Sequence, residues 1–124
     1  MTLMSRSRWH SIPPGIPKNT LIEFMLGHAN PQQRAKAAKE AALSFKQFAN
    51  LAIDSDEHVR VCLARNSATP PLILAELASD HQFTVRFWVA KHSECPLYIL
   101  KALINDSVDV VSMAARENLE SKKK

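Results

Sequence analysis

The chain has 124 residues, of which 46% are hydrophobic and only two are glycines, a composition that favours one helix-rich domain over a disordered or β-rich chain. Its apolar runs are short and broken by charges, so none approaches the roughly 20 residues of a membrane span, and the first residues lack the apolar stretch of a secretory signal. The formal charge of +4 divides into +5 over residues 1–50, −3 over residues 51–118 and +2 over residues 119–124, which argues against a nucleic-acid surface along the whole molecule.

The first third of the chain is its most basic part. We predict that residues 1–17 form a flexible basic segment and that a single helical domain follows over residues 18–118. The sequences Thr20–Glu23 and Ser44–Gln47 each have the spacing of a capping box, which marks a helix start. Between them, Arg34–Lys46 carries four basic residues among alanines, either as a solvated helix face or as a basic helix that contacts nucleic acid.

An internal repeat of 26 residues dominates the rest of the chain. Leu51–Glu76 aligns with Leu77–Ala102 with ten identical columns, and the same offset reaches forward to Asn118 and back to Arg34. The identical columns include Leu51/Leu77, Ala52/Ala78, Asp54/Asp80, Val59/Val85, Arg60/Arg86, Ala64/Ala90 and Pro70/Pro96.

Each repeat unit has the pattern of two short helices. Thr69 is expected to cap the first helix, with Pro70 at its first position, and the apolar residues that follow share one helical face. The second helix is expected to begin at a capping aspartate and to end at an asparagine in a left-handed turn. The aspartates are Asp54, Asp80 and Asp106, and the asparagines are Asn66 and Asn118. Because one pair of such helices cannot bury its apolar faces alone, the pairs are expected to stack.

The repeat unit resembles a known family. Its columns read Leu-Ala-x-Asp, then Val-Arg-x-x-(Leu/Val)-Ala-x-(Asn/His), then Pro-x-x-Ile-Leu, and this phrase resembles the leucine-rich repeat variant, a short relative of HEAT repeats. The resemblance is good over Leu51–Leu103, fair to Asn118 and weak before Met25. It implies an all-α fold, a short right-handed α-solenoid or superhelix of about four two-helix repeats of 26 residues, and no common activity. The cysteine-rich iron–sulfur segment of one founding member is missing, because no cysteine precedes Cys62.

The last unit and the end of the chain depart from the repeat pattern. Ser112 stands in the arginine column and Arg116 in the alanine column. Such departures are expected where one side of a terminal repeat faces solvent, or where that edge binds a partner. We predict that residues 119–124 form a basic C-terminal tail.

The arginine column, which contains Arg34, Arg60 and Arg86, is the most regular charged feature. Stacked units would place these side chains roughly 8–10 Å apart, a spacing that suits a row of guanidinium groups binding phosphates or a carboxylate-rich partner. The alternative is a structural ladder in which the arginines bond the capping aspartates or helix carbonyls of a neighbouring unit. HEAT-like repeats commonly use an Asp–Arg pair in that way.

Other residues suggest little chemistry. His58 with Cys62 and His92 with Cys95 have the spacing of metal ligands, but the two pairs occupy different columns, so we predict no metal site. Two cysteines give no disulfide framework, and we expect a cytoplasmic protein with free thiols. No glycine-rich phosphate loop, metalloprotease motif or nucleophile motif occurs in the sequence, so we predict neither an enzyme nor a cofactor.

The sequence therefore favours binding over catalysis. We expect a protein–protein interaction or adaptor solenoid; the alternative is a small nucleic-acid-binding protein that uses the basic N-terminal third and the arginine column, and self-association is a third. Phe87 and Trp88 are interpreted either as an aromatic platform for a base or a peptide side chain or as part of the core. The candidate binding residues are Arg34, Lys36, Lys39, Arg60, Arg86, Phe87, Lys91 and Arg116.

Overall fold

The computed structural model describes Gly15 and residues 17–123, and this part of the chain is all-helical, with eight α-helices and no strand. The flexible segment predicted for residues 1–17 lies outside the described residues except at Gly15 and Pro17. The helices are α1 (Lys18–Leu26), α2 (Pro31–Ala37), α3 (Phe45–Ala52), α4 (Glu57–Arg65), α5 (Pro71–Leu77), α6 (Phe83–Lys91), α7 (Leu97–Leu103) and α8 (Asp109–Ser121). None of these eight helices is long and apolar enough to cross a membrane.

The helices recur with the period of the sequence. The even-numbered helices α2, α4, α6 and α8 each begin 26 residues after the one before, and α3, α5 and α7 do the same. Only α1 departs from this spacing. The sequence period is therefore also the period of the helix boundaries.

Contacts between helices follow the order of the chain. Each odd-numbered helix packs against the even-numbered helix that follows it, and the even-numbered helices contact one another in the order α2, α4, α6, α8. Two odd-numbered helices of neighbouring units, α3 and α5, also contact each other. The four helix pairs therefore share one apolar core, in which equivalent columns are fully buried; these columns include Val59/Val85/Val111, Leu63/Val89/Ala115 and Leu74/Leu100.

The predicted helix starts were correct in one of three cases. At Ser44 the capping box is confirmed: Gln47 N donates to Ser44 Oγ at 3.1 Å, and Ser44 N donates to Gln47 Oε1 at 2.8 Å. Thr20 lies within α1 and caps nothing. Thr69 is also not a cap, because α5 begins at Pro71 and the Thr69 hydroxyl donates instead to the carbonyl of Leu63 at 2.7 Å.

The aspartates Asp54, Asp80 and Asp106 do not cap the second helices as predicted, because each helix begins further along the chain. Asp54 Oδ1 accepts from the backbone N–H of Asp56, and it is Asp56 that caps α4 by accepting from Val59 N. Asp80 and Asp106 likewise accept from the N–H two residues further on. Each aspartate thus forms an Asx turn that leads the chain into the helix, and it lies two residues before the N-cap residue.

The predicted helix ends were wrong in their geometry. Asn66 ends α4 with φ −72°, and no non-glycine residue among those described has a positive φ. Asn118 lies inside α8, which continues to Ser121. The predicted boundary between the domain and the 119–124 tail therefore falls within a helix.

Candidate functional site

The three arginines of the repeat column pair with aspartates. Nε of each arginine donates to the carboxylate of the aspartate 20 residues further on, at 2.7 or 2.8 Å, and Nη2 donates to the second oxygen at 3.1–3.3 Å. The pairs are Arg34–Asp54, Arg60–Asp80 and Arg86–Asp106. The remaining nitrogen, Nη1, donates to backbone carbonyls, for example from Arg60 to Asp54 O at 2.7 Å. Each guanidinium thus joins two turns of successive units.

These ion pairs are largely buried, which indicates a structural role. Arg60 and Asp80 expose only 6% and 7% of their side chains. The hydrogen bond from Arg86 holds the pKa of Asp106 below its ordinary value, and the hydrogen bond to Asp54 raises the pKa of Arg34. The geometry matches the structural-ladder alternative for this column, since the donors of each fork already point at protein acceptors.

A second ladder runs through the column of Asn66, His92 and Asn118. Asn66 Nδ2 donates to the carbonyls of Ala38 and Glu40, both at 2.9 Å, and Asn118 donates in the same way to two carbonyls of its preceding unit at 2.8 and 2.9 Å. His92 Nε2 lies 2.9 Å from the carbonyl oxygen of Asn66. These side chains satisfy carbonyls that the end of the preceding second helix leaves without a helical partner. This role was missed because the column was interpreted as a set of helix ends.

A different column holds cations that are not paired. Lys39, Arg65 and Lys91, here called the basic row, are all exposed and lie 26 residues apart. Within residues 17–123, no carboxylate lies within ion-pair distance of any of the three. They stand at or just after the C-terminal ends of α2, α4 and α6, where a cation also interacts favourably with the helix dipole. In the last unit the same column holds Glu117, and α8 continues past this position.

The basic row lines three adjoining grooves. The first has a volume of about 450 Å³ and lies between Lys39 and Arg65. The second, of about 240 Å³, lies between Arg65 and Lys91, and the third, of about 220 Å³, between Lys91 and Glu117. Since neighbouring grooves share a lining cation, they lie side by side across the ends of the second helices.

Aromatic rings lie against two of the three cations of the row, Arg65 and Lys91. The Arg65 guanidinium lies 4.3 Å from the ring centroid of Trp88, and the Lys91 ammonium lies 5.9 Å from that of Phe87. The two rings meet edge to face at 5.2 Å and are half-buried against the core. Cation–π contacts leave the outer donors of Arg65 and Lys91 available, which a carboxylate partner would not.

The two histidine–cysteine pairs do not combine into one group of ligands in the described part of the chain. Cys62 Sγ lies 3.6 Å from His58 Nε2, whereas the ring nitrogens of His92 are engaged by Asn66 O and Glu94 N. No group of three or more metal-ligating side chains occurs among the residues described. Burial raises the pKa of Cys62, opposed by the charges of Lys39 and Arg65, and burial raises the pKa of Cys95 to about 11. Both thiols are therefore protonated at neutral pH.

The structure separates the residues that were predicted as one binding set. Arg34, Arg60 and Arg86 belong to the ion-pair ladder, and Lys39 and Lys91 belong to the basic row with Phe87 beneath Lys91. Lys36 and Arg116 are exposed but line none of the three grooves. Arg65 was missed, although the repeat alignment places it between Lys39 and Lys91.

Comparison with known proteins adds no further constraint. A scan against protein-family models finds no match, and comparisons with curated proteins and with solved structures find none either. The resemblance to the leucine-rich repeat variant therefore rests on the repeat columns of this chain alone.

Proposed function

We propose that this chain is a short right-handed α-solenoid of about four two-helix repeats, similar to the leucine-rich repeat variant, and that it is a non-catalytic binding module for another protein. The 26-residue spacing of the helix starts supports this fold. So do the ion pairs that recur in three successive units and the contacts of α2, α4, α6 and α8 in chain order. Stacked repeats of this kind create extended surfaces on which partners bind.

The observation that carries the proposed function is the grooved surface along the second helices. Its three grooves adjoin at Arg65 and Lys91, so one extended partner could contact all three. The surface combines exposed cations with half-buried Trp88 and Phe87, and arginine and aromatic residues are enriched in protein interfaces.

Nucleic acid is the weaker alternative. That hypothesis relied on the basic N-terminal third and on the arginine column, and the guanidinium groups of the column are occupied by Asp54, Asp80 and Asp106. The basic row supplies three unpaired cations to a phosphate backbone, and each phosphate contact on duplex DNA contributes only about 0.9 to the salt slope of log K. Three contacts account for weak, salt-sensitive association.

Affinity purification of the full chain from its host tests the proposed function. We expect a protein partner in stoichiometric amount, identified by mass spectrometry, that remains bound after nuclease treatment of the eluate. Recovery of nucleic acid without a protein, or of the chain as a monomer with no partner, would contradict the proposal.

A further inference from the structure

On the basis of the proposed function, we infer that the partner presents an extended acidic segment, which docks its carboxylates on Lys39, Arg65 and Lys91 and places a basic residue against Glu117. The inference joins three observations: the continuity of the grooves, the unpaired charge of the row, and the order of charges along it. Each is independent of the family resemblance.

Continuity of the grooves favours one elongated ligand. Arg65 lines both the first and the second groove, and Lys91 lines both the second and the third. A segment that leaves one groove therefore enters the next beside a shared cation. Between the charged positions the lining is mixed: Cys62, Trp88 and Ala114 stand beside polar side chains that include His58, Asn66, Ser67 and Ser93. The backbone of a ligand would therefore meet hydrogen-bonding groups as well as apolar surface.

The charge of the row is not neutralised by this chain in its described part. Arg34, Arg60 and Arg86 have a carboxylate within 2.8 Å, whereas Lys39, Arg65 and Lys91 have none within 4.0 Å among residues 17–123. Charge complementarity then calls for an anionic partner. Arg65 has the closest ring contact of the three, at 4.3 Å from the Trp88 centroid, and such a contact lowers the cost of fixing its side chain on binding.

The order of charges distinguishes a peptide from a nucleic acid. Along the column the charges are positive at Lys39, Arg65 and Lys91 and negative at Glu117. A phosphate backbone is negative at every nucleotide and is repelled at the fourth position, whereas a peptide chain can place a lysine or arginine there. An extended acidic segment with one basic residue complements all four positions.

Spacing suggests the register of that segment. Packed helices lie about 8–10 Å apart, and three residues of a polyproline II chain extend about 9 Å with side chains on one face. A matching peptide therefore has acidic residues at every third position, followed three residues later by a basic residue. A probe peptide of ten residues, with Glu at positions 1, 4 and 7 and Lys at position 10, has this spacing.

Fluorescence anisotropy with this peptide and the full chain tests the inference. We expect Arg65→Glu and Lys91→Glu each to weaken peptide binding at least about tenfold, because each reverses a charge in the path. Lys101→Glu makes the same charge change on an exposed face of α7 and should change the affinity less than about twofold. Because a glutamate at a helix end also opposes the helix dipole, Arg65→Gln is measured beside it, with an intermediate loss expected, and folding of every variant is checked by circular dichroism.

The fourth position provides the sharpest contrast between ligands. Glu117→Lys should weaken binding of the probe peptide and strengthen binding of a single-stranded DNA oligonucleotide, since it extends the positive row. A peptide of the same composition with its lysine moved to position 4 should bind less tightly than the original. Tighter binding of wild type to the DNA than to the peptide, equal binding of the two peptides, or no peptide binding at low salt would each overturn the inference.

Failure of the inference is distinguishable from failure of the proposed function. If a protein captured by the wild-type chain is retained equally by Arg65→Glu, the chain is a protein-binding module that uses another surface. If no protein is captured at all, the proposed function fails.

Discussion

Arginine serves two roles in this molecule, and the neighbouring carboxylate decides between them. Arg60 and Arg65 lie five residues apart on α4, yet one is buried against Asp80 and the other is exposed over Trp88. The difference arises because Arg60 lies on the side of α4 that faces the next unit, where Asp80 forms an Asx turn and accepts its hydrogen bonds. A formal charge count treats both residues alike, whereas only Arg65 is available to a ligand.

The pairing of Arg60 can be measured directly. Arg60→Met should lower the free energy of unfolding by about 3–5 kcal/mol, because Asp80 would be left as a buried charge without its partner. Urea unfolding measures the effect, with Lys101→Met as the control, since an exposed substitution should stay within about 0.5 kcal/mol. A loss below about 1 kcal/mol for Arg60→Met would contradict a structural role for the pair.

Asp106 should make stability depend on pH. Its folded-state pKa is lowered by the hydrogen bond from Arg86, so its contribution is complete above the unfolded pKa of about 3.9 and is lost as pH falls through the lower folded value. We expect wild type to be more stable than Asp106→Asn at neutral pH, and the gap to close as the pH falls below about 4.

Unfolding curves at several pH values test this dependence. Ser107→Ala, which changes a neighbouring exposed residue without a titrating group, should differ from wild type by the same amount at every pH. A gap between wild type and Asp106→Asn that does not change with pH would show that the Arg86 pair contributes nothing.

At the scale of the helix, the units are joined through the ends of their helices. Seven to nine residues form each helix except α8, which has thirteen. Helices this short are marginal in isolation, and their unpaired terminal carbonyls are a large share of their backbone groups. The column of Asn66 and Asn118 supplies donors to carbonyls of the preceding unit, so the end of one second helix stabilises the next.

Asn66 is the clearest test of this connection. Asn66→Asp keeps the side-chain oxygen that accepts from Ala68 N but removes the amide that donates to Ala38 and Glu40, and it places a charge against their carbonyls. We expect a loss of about 1–3 kcal/mol in the free energy of unfolding. Ser67→Ala, at the exposed neighbouring position, should leave stability within about 0.5 kcal/mol; an Asn66→Asp variant as stable as Ser67→Ala would exclude the proposed link.

On the scale of the whole molecule, contacts pass from each helix pair to the next. Helix α4 packs against both α2 and α6, while α1 packs chiefly against α2. In such a series the interior units have neighbours on both sides and the terminal units have one. Local stability should therefore differ along the chain.

Hydrogen exchange followed by mass spectrometry should show this difference. Helices α1 and α4 have nine residues each, so they are matched in length. We expect the amides of α4 to be protected at least about tenfold more than those of α1. Opening α4 breaks its contacts with α2, α3, α5 and α6, whereas α1 packs chiefly against α2. Equal protection of the two helices would indicate that the pairs unfold as one cooperative unit.

In the first unit, the predicted capping box did not locate the start of the helix. The 26-residue period predicts the starts of α3 to α8 to within one or two residues, because identical columns need identical turns. Helix α1 begins 27 residues before α3, one residue out of the period, and its start at Lys18 was not marked by the Thr20 capping box. Capping motifs are local and weak, so they locate a helix only where packing agrees with them.

The sequence by itself determined the all-helical class, the period and the apolar columns of the core, because these depend on residue order along one helix face and on its repetition. Only the tertiary structure decided which of two basic columns is paired. Arg60 and Asp80 are 20 residues apart, as are the other two pairs, and neither residue reveals its partner until two turns from different units are brought together. The same packing left Lys39, Arg65 and Lys91 without a carboxylate in the described part of the chain, and it joined three grooves along them. The arginine column, for which the sequence left a binding row and a structural ladder open, forms an ion-pair ladder, and the surface proposed for binding lies on the basic row.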